Sequence, residues 1–312
     1  MTHCLVICTR NRPDDLRETL ESCASQGSIE DFAVRVVDAS DTEAASRNAS
    51  TIAEIPRINC EHVLYRGEPS LARQRNFAIE EYTGNYDIIH FLDDDVTLDS
   101  EYLKVMDNAF RQNPAAAGIG GLVVEDGRRP QDARSLLLTC FRLYSPRPGK
   151  VLASGHESPA QSEELSEVVG VEWLNGCSAY RSSVLRDFRC DAQLRGYSLD
   201  EDLDLSYRIS RQHLLLVEPS AQMVHRKSPA DREPGTQYYS DYIVHRFWFV
   251  RKNIRHPMRY PAFWWSVVGR LLRAQSARKH GHHEMRNGYL DGIKRIVSGD
   301  HYLLGGRENE TF

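Results

Sequence analysis

The sequence predicts an α/β domain, a mixed and mainly parallel sheet flanked by helices, followed by a helical C-terminal segment. Three observations predict it. Short apolar runs alternate with helical patterns over the first 110 residues. The polar residues suited to chemistry fall at the carboxyl ends of those runs, where such sheets bind ligands. From Tyr242 to His283 there is no Asp or Glu, while basic and aromatic residues interleave.

Element by element, His3-Cys-Leu-Val-Ile-Cys8 is a strand-forming apolar run, closed by Thr9 and Arg10. Pro13 then opens a helix that carries Leu16, Leu20 and Cys23 at helical spacing. Phe32 to Val37 is a second strand, ended by Asp38; Ser46 to Ile55 suits a short helix, and His62 to Tyr65 a third strand. Ser70 to Tyr82 places Leu71, Ala78 and Ile79 at helical spacing, and Asp87 to Leu92 is a fourth strand that runs straight into Asp93, Asp94 and Asp95. Residues 126–168, with Gly-Arg-Arg-Pro, Ser-Pro-Arg-Pro-Gly and an acidic, serine-rich run, read as loops. Helical and strand patterns return at 168–179 and 200–211, and Leu214–Val217 and Gln222–Val224 read as two strands. The organisation expected is an α/β domain over 1–230, in two halves at 1–110 and 111–230, then a basic, aromatic-rich helical segment over 231–312.

Composition excludes several classes. With 41% hydrophobic and 27% charged residues the chain is ordinary globular protein, and a net charge of −5 lacks the basic footprint of a general nucleic-acid binder. The seven cysteines are scattered, without a CxxC pair, as in reduced cytosolic proteins. Strand-forming sequence from His3 leaves no room for a signal peptide, and no run approaches the roughly 20 apolar residues of a membrane span. The expectation is a cytoplasmic protein.

Two acidic clusters carry the chemical argument. Three adjacent carboxylates raise one another's pKa unless a cation neutralises them, and oxygen ligands suit Mg²⁺ or Mn²⁺. Extended geometry puts Asp93 and Asp95 on one side and Asp94 on the other; the plainer alternative is a solvated turn or helix cap. In Asp200-Glu-Asp-Leu-Asp204, either Glu201 or Asp202 can serve as general base on a hydroxyl, and Asp204 can pair with Arg208 at i, i+4. The alternative is acidic decoration of a helix start. His225, after a strand, is a candidate nitrogen donor near a metal, or a structural histidine.

Six stretches in order carry a family resemblance: Val6-Ile-Cys-Thr-Arg-Asn-Arg12, Val36-Val-Asp-Ala-Ser40, Ala72-Arg-Gln-Arg-Asn76, Phe91-Leu-Asp-Asp-Asp-Val96, Trp173-Leu-Asn-Gly176 and Asp200-Glu-Asp-Leu-Asp-Leu205. Together they resemble the GT-A glycosyltransferases, and among them the inverting glycosyltransferase family 2, over residues 1–230. The resemblance implies that Thr9, Arg10, Asp38, Arg75 and Asp94 serve the nucleotide. It implies that Asp93 and Asp95 are the outer aspartates of the DxD metal motif, with His225 as a further ligand. Asp202 then matches the base of the family's Glu-Asp pair, beside Glu201, while Trp173 and Asn175 are acceptor-side candidates. The implied reaction is a single in-line displacement from a UDP-, dTDP- or GDP-linked sugar onto a glycan or lipid-linked saccharide, as in surface-polysaccharide or glycolipid biosynthesis. Phe77-Ala78 replaces a glycine-rich continuation of the Arg-Asn motif, and the Gln-x-x-Arg-Trp signature of processive synthases is missing.

Residues 242–283 hold nine Lys or Arg with Trp248, Phe249, Trp264 and Trp265, the composition of amphipathic helices on an anionic membrane surface. The alternative is that these helices pack against the catalytic domain. Three rival readings have weaker support. Isoprenoid-type synthases carry their aspartates on helices, whereas Asp93 ends a strand; a metal-dependent phosphatase lacks its loop motif here; and a non-catalytic GT-A-like scaffold has no need of Asp93, Asp95 and Asp202 together.

Overall fold

The computed structural model describes residues 1–27, 32–55, 58–124, 132–160, 165–226, 235–276 and 282–305. In chain order the elements are β1 (His3–Thr9), α1 (Pro13–Ala24), β2 (Phe32–Asp38), α2 (Thr42–Ala53), β3 (Cys60–Leu64), α3 (Leu71–Tyr82), β4 (Ile88–Asp93), β5 (Val96–Leu98), α4 (Tyr102–Gln112), β6 (Ala116–Val124) and α5 (Asp132–Cys140). They continue with β7 (Val169–Val171), β8 (Ser178–Arg181), α6 (Ser182–Leu185), α7 (Glu201–Ser210), β9 (Leu214–His225), α8 (Thr236–Asn253), α9 (Arg259–Ser276) and α10 (His282–Ser298).

The chain forms two compact units, one of residues 1–128 and 159–230, the other of 129–158 and 231–312. The first is built on a mixed sheet of order β3-β2-β1-β4-β8-β6-β9-β5, with β7 also paired to β9. Strands β3, β2, β1 and β4 are parallel, as the alternating pattern requires. All seven residues of β1 are buried, so this strand is covered on both faces and reads as a continuous apolar run. Leu16, Leu20 and Cys23 of α1 pack onto Leu5, Ile7, Val34 and Val36, which makes the spacing of α1 a buried stripe. Local signals agree: Pro13 sits in the first turn of α1, and the Asp41 and Ser70 side chains cap α2 and α3.

Two sequence expectations change here. The two strands read at 214–217 and 222–224 are one, β9, whose register against β6 shifts between Gly121 and Leu122. That bulge takes up Pro219, which has no N–H to offer the ladder. The loop-like stretch 126–168 contains the helix α5, whose Leu136 and Leu137 are exposed.

Behind the sheet edge, His3 Nδ1 and His90 Nε2 are 2.9 Å apart and His3 Nε2 lies 3.1 Å from Asp107 Oδ1. Burial is the main cause that holds both imidazoles below their usual pKa, so they stay neutral in the native protein. An unfolded histidine takes up a proton near pH 6.5, whereas each of this pair does so only at lower pH. The stability they contribute is therefore complete above that pH and declines as pH falls below it. The slope is at most about 1.4 kcal/mol per pH unit for each histidine. Thermal melts across pH 7.5 to 5 are expected to fall more gently in His90→Gln, whose amide cannot charge; equal slopes in the two proteins would refute this account.

Candidate active site

Parallel register brings the functional residues to one edge. Thr9 lies opposite Asp38 in neighbouring strands, and Cys8 opposite Asp93, so the ends of β1, β2 and β4 are level. Asp94 and Asp95 turn the chain from β4 into β5. Antiparallel pairing of β5 with β9 then puts His225 opposite Val96, directly beside that turn. Arg226 N–H donates to the Asp95 carbonyl at 3.0 Å and pins the strand there.

The three aspartates separate as extended geometry dictates. Carboxylate oxygens of Asp93 and Asp95 and a ring nitrogen of His225 lie within 4.8 Å of one another, with His225 Nε2 2.9 Å from Asp95 Oδ1. Asp94 turns the other way and accepts from Thr9 Oγ1 at 2.7 Å and from Arg12 Nη1 at 3.4 Å. Burial pushes the Asp94 carboxyl up to about 6, against the pull of Thr9 and Arg12. Asp38 is fully enclosed: the Ser40 N–H, Asn48 Nδ2 and His62 Nε2 each approach its oxygens at 2.8 Å. Burial alone raises its pKa, yet these hydrogen bonds prevail and hold it below the usual range. Asn11, in left-handed backbone, donates its N–H to the Ser40 hydroxyl and accepts the Asp41 N–H on its side-chain oxygen, which locks the loop after β1 to the loop after β2.

Arg75 is the hub of the opposite wall. It is 2% exposed; its guanidinium bonds the Glu201 carboxylate, donates to the Gly176 carbonyl at 3.0 Å, approaches Asp93 Oδ1 at 3.5 Å and lies over the Phe91 ring. A Cβ at Gly176 would stand 3.2 Å from Arg75 Nη2, a tight approach that would press on the guanidinium. Burial opposes the Arg75 charge, and Glu201 and Asp93 more than restore it. Burial likewise pushes the Glu201 carboxyl up to about 7 against the pull of Arg75, and Cys190 Sγ stands 3.5 Å from its other oxygen.

Glu201 is thus enclosed, whereas the next residue, Asp202, is half-buried in the first turn of α7. That helix starts from Asp200 in left-handed backbone (φ 64°), after Gly196 and Ser198 in the same region. Asp takes this conformation more readily than most residues, at some cost in strain.

Of the other residues singled out by sequence, Arg10 is exposed beside Thr9. Trp173 and Asn175 line a small cavity of about 20 Å³ with Leu174, Ala160 and Val217. Asn175 instead accepts the Cys177 N–H at 3.1 Å, and Cys177 Sγ in turn accepts the Asp93 N–H at 3.4 Å. Sequence reasoning passed over Asn76, which exchanges two hydrogen bonds with the Cys190 backbone, and Ser70, which binds the Leu194 carbonyl at 2.7 Å. These bonds fasten α3 to the chain that leads into α7. Arg12 and Gln74 were visible in the quoted motifs but carried no assignment; Gln74 bridges the carbonyls of Thr9 and Val37.

A mixed sheet flanked by helices, with a carboxylate–imidazole cluster at the edge where its parallel strands end, is the architecture that the GT-A resemblance implies. The sequence model of Glycosyl transferase family 2 matches residues 4–162, and the chain belongs to that family. No curated protein matches it by sequence. Among solved structures it is similar in fold to S. aureus TarS 1-349 in complex with UDP-GlcNAc, at 13% identity and TM-score 0.53, over 97% of this chain and 93% of that one. It is also similar to the mannosyltransferase PcManGT from Pyrobaculum calidifontis in complex with GDP-Man and Mn²⁺, at 14% identity and TM-score 0.59, over 96% and 88%. A third likeness is to GalNAc-T7 with UDP, GalNAc and Mn²⁺, at 11% identity and TM-score 0.63, over 96% and 58%.

Proposed function

We propose that this protein transfers a sugar, with inversion at the anomeric carbon, from a nucleotide-sugar donor to the hydroxyl of a glycan or lipid-linked saccharide. The observation that carries the reading is the convergence of Asp93, Asp95 and His225 at the sheet edge that also holds Thr9, Asp38 and Asp94. Two carboxylates and one imidazole fit a hard divalent cation, Mn²⁺ or Mg²⁺. Asp93, Asp95 and His225 would hold it, and when bound it supplies positive charge against the donor diphosphate. The nucleoside is received at the ends of β1 and β2, where Arg10 is exposed and the enclosed Thr9 and Asp38, with Asp94 and Arg75, shape the pocket.

Asp202 is the general base. It takes the acceptor proton while the acceptor oxygen bonds to the anomeric carbon and the bond from that carbon to the diphosphate oxygen breaks. Glu201, occupied by Arg75, positions the helix rather than taking the proton. Support for a nucleotide-sugar donor also comes from family membership and from fold neighbours described with UDP-GlcNAc and GDP-Man.

Thermal melts with UDP, dTDP, GDP and CMP, each with Mn²⁺ and with EDTA, test the reading. One nucleoside diphosphate at about 100 times its Kd adds about 2.7 kcal/mol, a rise of several degrees. The rise is expected to vanish in EDTA and in Asp95→Ala. A folded protein that responds to none of the four would favour the scaffold reading.

Membrane contact is a second proposal, carried by a separate observation. Among the described residues no helix is long and apolar enough to cross a membrane. In the helical unit, however, Leu136, Leu137, Trp265, Val268 and Leu272 are all exposed. Trp265 ties α9 to the end of α5 through the Cys140 carbonyl at 2.8 Å and the Phe141 ring. Apolar side chains clustered beside basic ones suit an anionic lipid surface. The protein should sediment with phosphatidylglycerol vesicles, and a Trp265→Glu/Leu272→Glu variant should stay in the supernatant; equal sedimentation of the two would rule this face out.

A further inference from the structure

The helical unit contains a second pocket that the transfer reaction leaves unused. Helices α8, α9 and α10 enclose a cavity of about 250 Å³ walled by Tyr238, Tyr239, Tyr242 and Tyr289, with Arg270 and Arg273 on the same lining. Its size is close to the lower bound of small-ligand sites.

Arg270 is held in place by uncharged groups alone. Its guanidinium lies over the Tyr242 ring at 4.4 Å and bonds the Tyr242 hydroxyl, while Nη1 reaches the Tyr289 hydroxyl at 3.5 Å and Nη2 reaches His156 Nδ1 at 3.2 Å. The direction of the last bond follows from the far side of the ring. Ser266 Oγ donates to the Phe263 carbonyl at 2.6 Å, so it accepts from His156 Nε2 at 3.1 Å, which leaves His156 Nδ1 as the acceptor for Arg270. His156 is therefore neutral, in keeping with a pKa that burial and the neighbouring Arg270 and Arg246 hold well below the usual value.

The contrast with Arg246 is direct. That arginine also borders Tyr242, yet it is neutralised by Glu157. No carboxylate lies within ion-pair distance of Arg270 among the described residues, and its Nε is buried without a hydrogen-bond partner. Glu284, which bears on Tyr239, is solvent-exposed. A guanidinium that is fixed, half-buried and without a counter-charge at a pocket wall favours an anion in that pocket.

We propose that this pocket binds a phosphate group: Arg270 carries the charge, and the tyrosine rings and hydroxyls hold the body to which the phosphate is attached. Arginine matches the oxygens of a phosphate in its planar fork, and tyrosines offer both a face and a hydroxyl to a sugar or glycerol moiety. The site is independent of the proposed transfer, so either can fail alone.

The test uses the full-length protein in EDTA with Asp95→Ala as background, so that the sheet-edge site takes no part. Inorganic phosphate and glucose 1-phosphate are titrated by calorimetry, and vesicles containing phosphatidic acid are compared with vesicles of phosphatidylcholine alone. Saturable binding of either soluble probe is expected, weakened at least about tenfold by Arg270→Gln, the share of a charge-assisted bond. If Arg270→Gln fails to fold, Met285→Trp puts a larger side chain on the cavity lining and leaves the arginine intact; it should abolish the same binding. Binding confined to phosphatidic acid vesicles, and lost in either variant, assigns the phosphate to a lipid. Binding to none of the probes, or binding that both folded variants retain, overturns the proposal.

Discussion

Asp202→Asn is expected to lower the transfer rate by about 10²–10⁴-fold while nucleotide binding stays within about twofold of wild type. The asparagine keeps the size and hydrogen-bonding edge of the side chain but cannot take a proton, so the loss falls on kcat and not on the donor Kd. Position makes the expectation specific. Asp202 is half-buried, whereas Glu201 beside it is closed off by Arg75 and Cys190. Rate measurements at saturating donor, paired with calorimetric titration of the nucleoside diphosphate, check both halves. Wild-type turnover in Asp202→Asn removes the base from this residue; a matching loss of donor affinity makes it a binding residue instead.

Much of this geometry was legible because parallel strands announce themselves. Buried along their length, β1 and β4 are largely apolar runs, β4 interrupted by His90, and the residue that ends each run is placed at the sheet edge by register alone. That reasoning reached Thr9, Asp38 and Asp93 without coordinates. It also separated Asp94 from Asp93 and Asp95, since alternation is a property of the backbone.

It reached less far where partners come from distant chain. The resemblance drew Arg75 out as a nucleotide residue and said nothing of its burial, yet Ala72, Arg75, Ile79 and Tyr82 share the buried face of α3, a spacing that marks a charge destined for the interior. Its partner is 126 residues away, and no local pattern names it. The gap read between 217 and 222 lies within one strand, bulged where Pro219 sits, and the proline- and glycine-rich stretch around α5 hid a helix. In both cases tertiary pairing outweighed local punctuation. The Arg270 pocket is a further case, since four tyrosines from α8 and α10 meet only after the helices pack.

Arg75→Leu is expected to destabilise the protein by about 3–5 kcal/mol, because it leaves Glu201 buried without its counter-charge. Arg75→Leu/Glu201→Leu should recover a large part of that loss, since replacing both members of a buried ion pair by apolar groups is far milder than removing one. The variant also carries a pH signature. Glu201 is already pushed up to about 7 by burial with Arg75 present, and it rises further without it. The native single variant then keeps a proton that the unfolded chain releases near its ordinary carboxylate pKa. Its stability is therefore least impaired at acidic pH and declines as pH climbs from about 4.5 through 7 and beyond. Urea unfolding of wild type, the single and the double variant at pH 5.5 and 8 resolves this. A single variant whose deficit does not grow with pH, or a double variant no more stable than the single, would mean that Glu201 is not held as a buried carboxylate by Arg75. The role of Glu201 as a positioning group, and with it the assignment of the proton transfer to Asp202, would then lose its structural basis.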